Sequence, residues 1–512
     1  MLICHLFGRT TKRSIKVLTA AGLALFAVPC FADKCESLAS LQLPHTTITN
    51  AEVVSTGIFA PSTGKPLTDL PAFCRVTATV KPSADSDILV EVWLPQADWN
   101  QRLEGTGNGG FAGKISYSAL AEGLRRGYAV ANTDMGMATP ADATASIFVN
   151  RPERWIDWGY RATHEMTIVA KHVVRAYYEQ DARHAYFVGC STGGEQALME
   201  SQRYPDDYDG IVGGAAANNR TGVHVSILWN FAVNERTPAS YLPAGARLLL
   251  AQATVDKCDA LDGVKDGVIE NPTVCHFDPK ALVCKGADGP NCLTPAQVET
   301  AKALYSPIKN PKTGAEVMPA LLQPGSELGW AILAGPEPIR YSTETFQYLV
   351  FKDPKWDWHQ FNGATDIDLA LKADNGLLEF TDPNLKPFFE RGGKLLMYHG
   401  WADPQVTPMN SVSYFNDVVR KLGAAVVGKS IELYMVPGMN HCGGGPGTDT
   451  FDKMAAMEQW VAKGTAPDKI LASHLTNGTV DRTRPLCPYA QVATYKGTGS
   501  TDDAANFVCK AP

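Results

Sequence analysis

The sequence has no excess of positive charge, no run of like charges, no C-x-x-C pair and no internal repeat. Lys and Arg number 46 against 53 Asp and Glu, a formal charge of −7. A nucleic-acid partner would need a basic stripe, so that class is excluded. Without a C-x-x-C pair a structural zinc site is disfavoured, and without a repeat a solenoid is excluded. No low-complexity tract is present, and 45% hydrophobic with 19% charged residues is an ordinary globular balance. At 512 residues the chain is too long for one ordinary core, so two lobes or one core with a large insertion are expected.

Hydrophobic runs are short everywhere except near the start. Arg9, Lys12, Arg13 and Lys16 precede an apolar and small-residue run from Val17 to Val28, closed by Pro29. Twelve helical residues rise about 18 Å, short of a bilayer core of roughly 30 Å. The pattern therefore reads as a signal peptide over residues 1–32, removed on export, with no membrane span in the mature chain. Loss of that leader removes Cys4 and Cys30 and leaves ten of the twelve cysteines. An even number in an exported chain reads as a disulfide framework. Close spacing suggests Cys258 with Cys275, Cys284 with Cys292, Cys487 with Cys509 and Cys35 with Cys74. Cys190 and Cys442 then remain, although spacing by itself does not prove any connectivity.

Alternation marks strands at Ile88 to Leu94 and Gly127 to Asn132, and a buried strand at Ala185 to Val188. Met166, Val169, Ala170, Val173, Val174 and Tyr177 recur at helical spacing between Arg161 and Glu179. A further helix is expected over Glu195 to Arg203 and a strand at Ile211 to Gly214. This β–α rhythm stops near Asn218 and returns at Lys394 to Tyr398 and Ile431 to Val436, with a helix from Phe451 to Lys463. The expected fold class is α/β, a mostly parallel sheet covered on both faces. The expected division is a first core part over 33–217, an inserted cap over 218–385 and a second core part over 386–512.

Gly189-Cys190-Ser191-Thr192-Gly193 fits the G-x-S-x-G elbow, in which a strand turns sharply into a helix and presents a serine hydroxyl. In such folds the acid follows the serine and the histidine follows the acid. Asp403, in a loop after a late strand, is the expected acid, with Asp382 and Asp417 as fallbacks. Only His441 and His474 lie beyond it; His441 sits in a glycine-rich loop and is the expected base, and His474 is expected to be structural. If Cys190 and Cys442 pair, they tie the serine and histidine loops together. The backbone N–H of Thr192 and one of Gly110 or Gly109, in the glycine-rich run Gly105 to Gly110, are the expected oxyanion donors.

Asp259, Asp262 and Asp266 place three carboxylates within eight residues, with glycines at Gly263 and Gly267. Spacing alone reads equally as a Ca²⁺ loop or as a solvated acidic turn.

Together these motifs resemble the tannase and feruloyl esterase family, which includes bacterial esterases acting on mono-hydroxyethyl terephthalate. Cys190-Ser191 and His441-Cys442 carry the resemblance, supported by Gly159 to Glu165 and Arg203 to Asp206. The resemblance implies an α/β-hydrolase core with a lid inserted after the strand near Gly213. It also implies a bridge between Cys190 and Cys442, and a structural Ca²⁺ on the side chains of Asp259, Asp262 and Asp266 with the carbonyls of Val264 and Val268. No organic cofactor is implied. Glu195 departs from the family, where many members have a basic residue. The segment Trp330 to Phe351 is expected to supply specificity, and His399 and Trp401 to line the acyl pocket. The expected activity is that of a secreted serine carboxylesterase acting on a small-molecule ester of a phenolic or aromatic acid. A terephthalate half-ester is the alternative substrate, with a peptidase or a non-catalytic binding protein as rival classes. The oligomeric state stays open.

Overall fold

Strands rich in β-branched and aromatic residues, each with alternate residues facing opposite sides, build one large sheet in the computed structural model. It describes residues 31–511 apart from 63, 112 and 138–143. The leader expected over 1–32 lies outside these residues except for its last two, which open a short helix, Phe31–Ser37. The strands are β1 (Thr46–Val54), β2 (Phe73–Val80), β3 (Ile88–Pro95), β4 (Arg102–Thr106), β5 (Ala129–Thr133), β6 (His184–Cys190), β7 (Gly210–Gly214), β8 (Lys394–Gly400) and β9 (Ile431–Val436). They lie in the order β1-β2-β3-β5-β4-β6-β7-β8-β9. Pairing is antiparallel from β1 to β5 and parallel from β5 onward.

Period-two alternation divides the core between the two faces. Phe187, Ile211, Leu395, Met397 and Leu433 point to one side, where they meet the helices Ala162–Tyr178, Thr192–Arg203 and Pro408–Leu422. Tyr186, Val212, Leu396, Tyr398 and Tyr434 point to the other, against Tyr117–Arg125 and Lys453–Lys463. The helix Ala162–Tyr178 buries Met166, Val169, Ala170, Val173, Val174 and Tyr177, the stripe its spacing predicts. One turn of π-helix, Asp157–Arg161, precedes it.

Between β7 and β8 the chain leaves the sheet and forms hydrophobic clusters of its own. The helix Arg220–Glu235 is apolar on two sides: Val223 and Ile227 pack with Leu250, Leu304 and Trp330, while Val225 and Leu228 pack with Phe346 and Trp356. That explains its near-complete burial. After β9 come a small antiparallel sheet, Thr450–Phe451, Ile470–Thr476 and Thr479–Leu486, and a hairpin of Val492–Tyr495 with Phe507–Lys510. Five disulfides join Cys35 to Cys74, Cys190 to Cys442, Cys258 to Cys275, Cys284 to Cys292 and Cys487 to Cys509. Among the described residues no helix is long and apolar enough to cross a membrane.

Candidate active site

Strand β6 runs into the helix Thr192–Arg203 through Ser191, whose φ of 65° and ψ of −117° are a strained conformation for a residue with a side chain. The surroundings hold that strain in place. Ser191 N–H donates to the Gly214 carbonyl at 3.0 Å, and Gly193 N–H donates to the Asn108 carbonyl at 2.8 Å. Only glycine allows the backbones to approach this closely. A Cβ on Gly189 would lie 2.4 Å from the Gly193 oxygen, and one on Gly107 would lie 2.4 Å from the Gly193 Cα. The elbow and the Gly105–Gly110 run are therefore interlocked.

His441 connects the elbow to the loop after β8. Its Nε2 lies 2.8 Å from Ser191 Oγ and its Nδ1 2.7 Å from Asp403 Oδ2. Asp403 is fully buried, and four donors converge on it. The N–H groups of Gln405 and Val406 reach Oδ1 at 2.7 and 3.0 Å, and His399 Nε2 approaches Oδ2 at 3.1 Å beside His441. Burial by itself would raise the carboxyl, but the charge of His441 and the hydrogen bonds of both imidazoles outweigh it, holding Asp403 well below the usual carboxylate range. The fallback residues lie elsewhere: Asp382 accepts from Asn384 N–H, Asp417 pairs with Arg420, and His474 pairs with Asp481. Sequence neighbours of the serine and the histidine form the Cys190–Cys442 bridge, with Cα atoms 6.0 Å apart.

A cavity of about 260 Å³ opens on Ser191 and His441. Gly109, Gly110 and the Cys190–Cys442 bridge line it, together with the apolar side chains of Ala217, Val223, Ile227, Tyr341 and Val406. Of the segment Trp330 to Phe351, Tyr341 reaches this cavity. His399 and Trp401, expected to line it, do not: His399 is fully buried behind Asp403, and Trp401 borders a separate space beside Ala402 and Gly438. His399 lies near the end of β8 and Trp401 just after it, and both side chains are taken up by packing.

Two residues went unread in the sequence: Arg220, which is the partner of Glu195, and His224. Arg220 is buried over the Trp158 ring, donates through Nε to Glu195 Oε2 at 2.7 Å and through Nη2 to Thr192 Oγ1 at 2.8 Å, and borders the cavity. Thr192 Oγ1 in turn donates to the Gly110 carbonyl at 2.6 Å, joining the two segments whose N–H groups are the candidate oxyanion donors. Burial pushes the Glu195 carboxyl up to about 7 although Arg220 opposes the shift. Sequence distance concealed which basic residue meets Glu195.

The acidic loop closes on itself and on the C-terminal strands. Asp259 accepts from the N–H groups of Asp266 and Gly267, Asp262 from that of Val264, and Asp266 from that of Val268 and from Arg484 Nη2 at 2.5 Å. Burial pushes Asp262 up to about 6, and the charges of Asp266 and Asp259 add to the effect. Among the described residues no three His, Cys, Asp or Glu side chains converge as a metal site. In donor chemistry the set, all oxygen, suits a hard cation.

Comparison with known proteins gives a consistent result. The family model for tannase and feruloyl esterase matches residues 74–510. The chain is 36% identical to an uncharacterized esterase of Xanthomonas campestris pv. campestris, over 97% of this chain and 94% of that one. It is 31% identical to a probable feruloyl esterase B-2 of Aspergillus terreus, over 97% and 98%. The crystal structure of feruloyl esterase B from Aspergillus oryzae superposes with a TM-score of 0.88 at 29% identity, covering 94% of this chain and all of the other. Tannin acyl hydrolase from Aspergillus niger shares the fold, with a TM-score of 0.80 at 23% identity over 94% and 95%. With a mixed sheet parallel from β5 onward, an elbow serine and these relatives, the chain belongs to the tannase and feruloyl esterase family and is a carboxylic ester hydrolase.

Proposed function

We propose that the protein hydrolyses esters of phenolic or aromatic acids by acyl transfer through Ser191, His441 and Asp403. The observation that carries this is the continuous hydrogen-bonded line from Ser191 Oγ through both nitrogens of His441 to Asp403. His441 Nε2 takes the Ser191 proton as Oγ attacks the ester carbonyl, and Asp403 holds the Nδ1–H tautomer and stabilises the imidazolium. The N–H groups of Thr192 and Gly110, or of Gly109 beside it, receive the developing oxyanion. His441 then protonates the leaving alcohol, and water releases the acid by the same route. The apolar wall with Tyr341 and Val406 supports an aromatic acyl group.

Ca²⁺ is proposed in the acidic loop, held by the side chains of Asp259, Asp262 and Asp266 with the carbonyls of Val264 and Val268. There it would neutralise charge and brace the insertion; no step of the reaction uses it. Export is proposed from the five disulfides and the leader-like start of the sequence.

The test is a panel of methyl ferulate, methyl gallate and mono-hydroxyethyl terephthalate, run with Ser191→Ala alongside. Cleavage of the phenolic esters, lost by several orders of magnitude in the variant, is the expected result. Substantial turnover by Ser191→Ala would overturn the nucleophile.

A further inference from the structure

We infer that Arg220, the first residue of the inserted helix, is a positioning residue for the oxyanion hole: through the Thr192 hydroxyl it holds the Gly110 carbonyl and so aims the N–H groups of Gly109 and Gly110. The inference rests on the acyl-transfer reading above and adds to it a residue outside the line of Ser191, His441 and Asp403.

The glycine turn has little packing to hold it. A Cβ built on Gly109 or Gly110 would meet no atom within 4 Å, and Gly110 has a φ of 59°. Without side chains, the place of these two residues depends on hydrogen bonds to their backbone. Before them the Asn108 carbonyl accepts from Gly193 N–H at 2.8 Å, and after them the Gly110 carbonyl accepts from Thr192 Oγ1 at 2.6 Å. The two candidate oxyanion N–H groups lie between these anchors. The next carbonyl, that of Phe111, accepts from Trp158 Nε1 at 2.8 Å.

Arg220 touches the carriers of both downstream donors. Its Nη2 donates to Thr192 Oγ1 at 2.8 Å, and its guanidinium lies over the Trp158 ring, 5.0 Å from the centroid. A guanidinium only donates and a carbonyl only accepts, so the Thr192 hydroxyl takes a proton from one side and gives its own to the Gly110 oxygen. Donation from a charged group also strengthens the bond that the hydroxyl makes in turn. Glu195, on the helix that leaves the elbow, fixes the guanidinium by accepting from Nε at 2.7 Å. One chain of contacts thus runs from the insertion to the elbow and on to the glycine turn. The seating of the insertion and the geometry of the oxyanion hole are set together.

The experiment measures kcat and KM for methyl ferulate and the inhibition constant of phenylboronic acid, whose tetrahedral adduct with Ser191 places an oxygen in the oxyanion hole. Enzyme concentration is set by fluorophosphonate titration of Ser191. Thr192→Val removes the hydroxyl and keeps the shape. It should lower kcat by about tenfold to a hundredfold, leave KM within about threefold, and weaken phenylboronic acid by about the loss in kcat/KM. Thr192→Ser, which restores the hydroxyl, should recover most of the rate. Arg220→Met combined with Glu195→Gln removes the guanidinium without stranding its partner. That pair should reproduce the kcat loss, and adding Thr192→Val to it should cost little more, since both changes break one chain. Arg220→Lys keeps the charge without the fork; its kcat should fall too, and it serves if the pair does not fold. An unchanged kcat in Thr192→Val or in either Arg220 variant, an equal loss in Thr192→Ser, or losses that multiply in the triple variant overturn the inference. A change confined to the titratable fraction, at constant kcat per site, marks a purely structural role and overturns it as well. If phenylboronic acid does not inhibit the wild type, the acyl-transfer reading itself fails, an outcome distinct from inhibition that Thr192→Val leaves unweakened.

Discussion

Replacing His399 by Phe tests how the buried acid is held. Asp403 receives four donors, and His399 supplies one of the two on Oδ2. A hydrogen bond to a buried charge is worth about 1.5–3 kcal/mol. The same Nε2 also lies 3.1 Å from the Val406 carbonyl, and Nδ1 lies 2.7 Å from Ser411 Oγ, so the variant disturbs three contacts. A stability loss of about 2–4 kcal/mol follows. The effect on rate should be smaller than that of removing the acid. Three donors and the charge of His441 still hold Asp403 ionised at neutral pH, so kcat should fall only about tenfold through looser aim of the imidazole. Asp403→Asn, which removes the acceptor that orients His441 Nδ1–H, should cost about four orders of magnitude. Acidity gives a second readout. Because the folded-state pKa of Asp403 is depressed, its stabilisation is complete above its ordinary value of 3.8 and is lost as pH falls toward the folded value. Removing one donor raises that folded value, so Asp403 contributes less stability above 3.8 and less of it is lost below 3.8 in His399→Phe. Steady-state kinetics on methyl ferulate with thermal unfolding from pH 7 down to pH 3 measures both. If His399→Phe is as inactive as Asp403→Asn, or leaves kcat and Tm unchanged, the supporting role is refuted.

Glu195→Gln strands the buried Arg220 charge and should cost about 3–5 kcal/mol, whereas Glu195→Gln combined with Arg220→Met should recover much of that loss; additive losses in a denaturation cycle would show that the pair is not coupled. Glu104, buried on β4 with Oε2 unpartnered among the described residues, is pushed up to about 8 by burial. Its native form keeps a proton that the unfolded chain loses, so wild-type stability should fall as pH rises from about 4.5 to about 8, by a few kcal/mol in all. In Glu104→Gln that slope should flatten, and parallel Tm curves for the two proteins would count against it. Chelation should lower Tm by about a few degrees and added Ca²⁺ should restore it; indifference to both would reject the cation in the acidic loop.

The core fold was legible because its rules are local. Alternation located β3 and β5, short buried runs in a β–α rhythm located β6, β7, β8 and β9, helical spacing located the buried stripe of Ala162–Tyr178, and the G-x-S-x-G run located the elbow. Strands β1, β2 and β4 were not read, since their threonines, arginines and single glycine resemble loop residues until neighbouring strands bury them. Ser191, Asp403 and His441 could be named from chain order because the fold fixes where an acid and a base must follow the elbow. Tertiary structure alone decided which side chains surround them. His399 looked like a pocket residue by its place in the chain, yet its ring turns inward to Asp403. Glu195 was read only as a departure from the family, and only the folding of the inserted helix across the elbow brought Arg220 against it. The same helix put His224 beside Phe111 and Tyr341, residues more than a hundred positions apart from one another or from it. Motifs record chemistry that depends on neighbours in sequence; the shape and polarity of the acyl cavity come from contacts between distant segments, which no local pattern encodes.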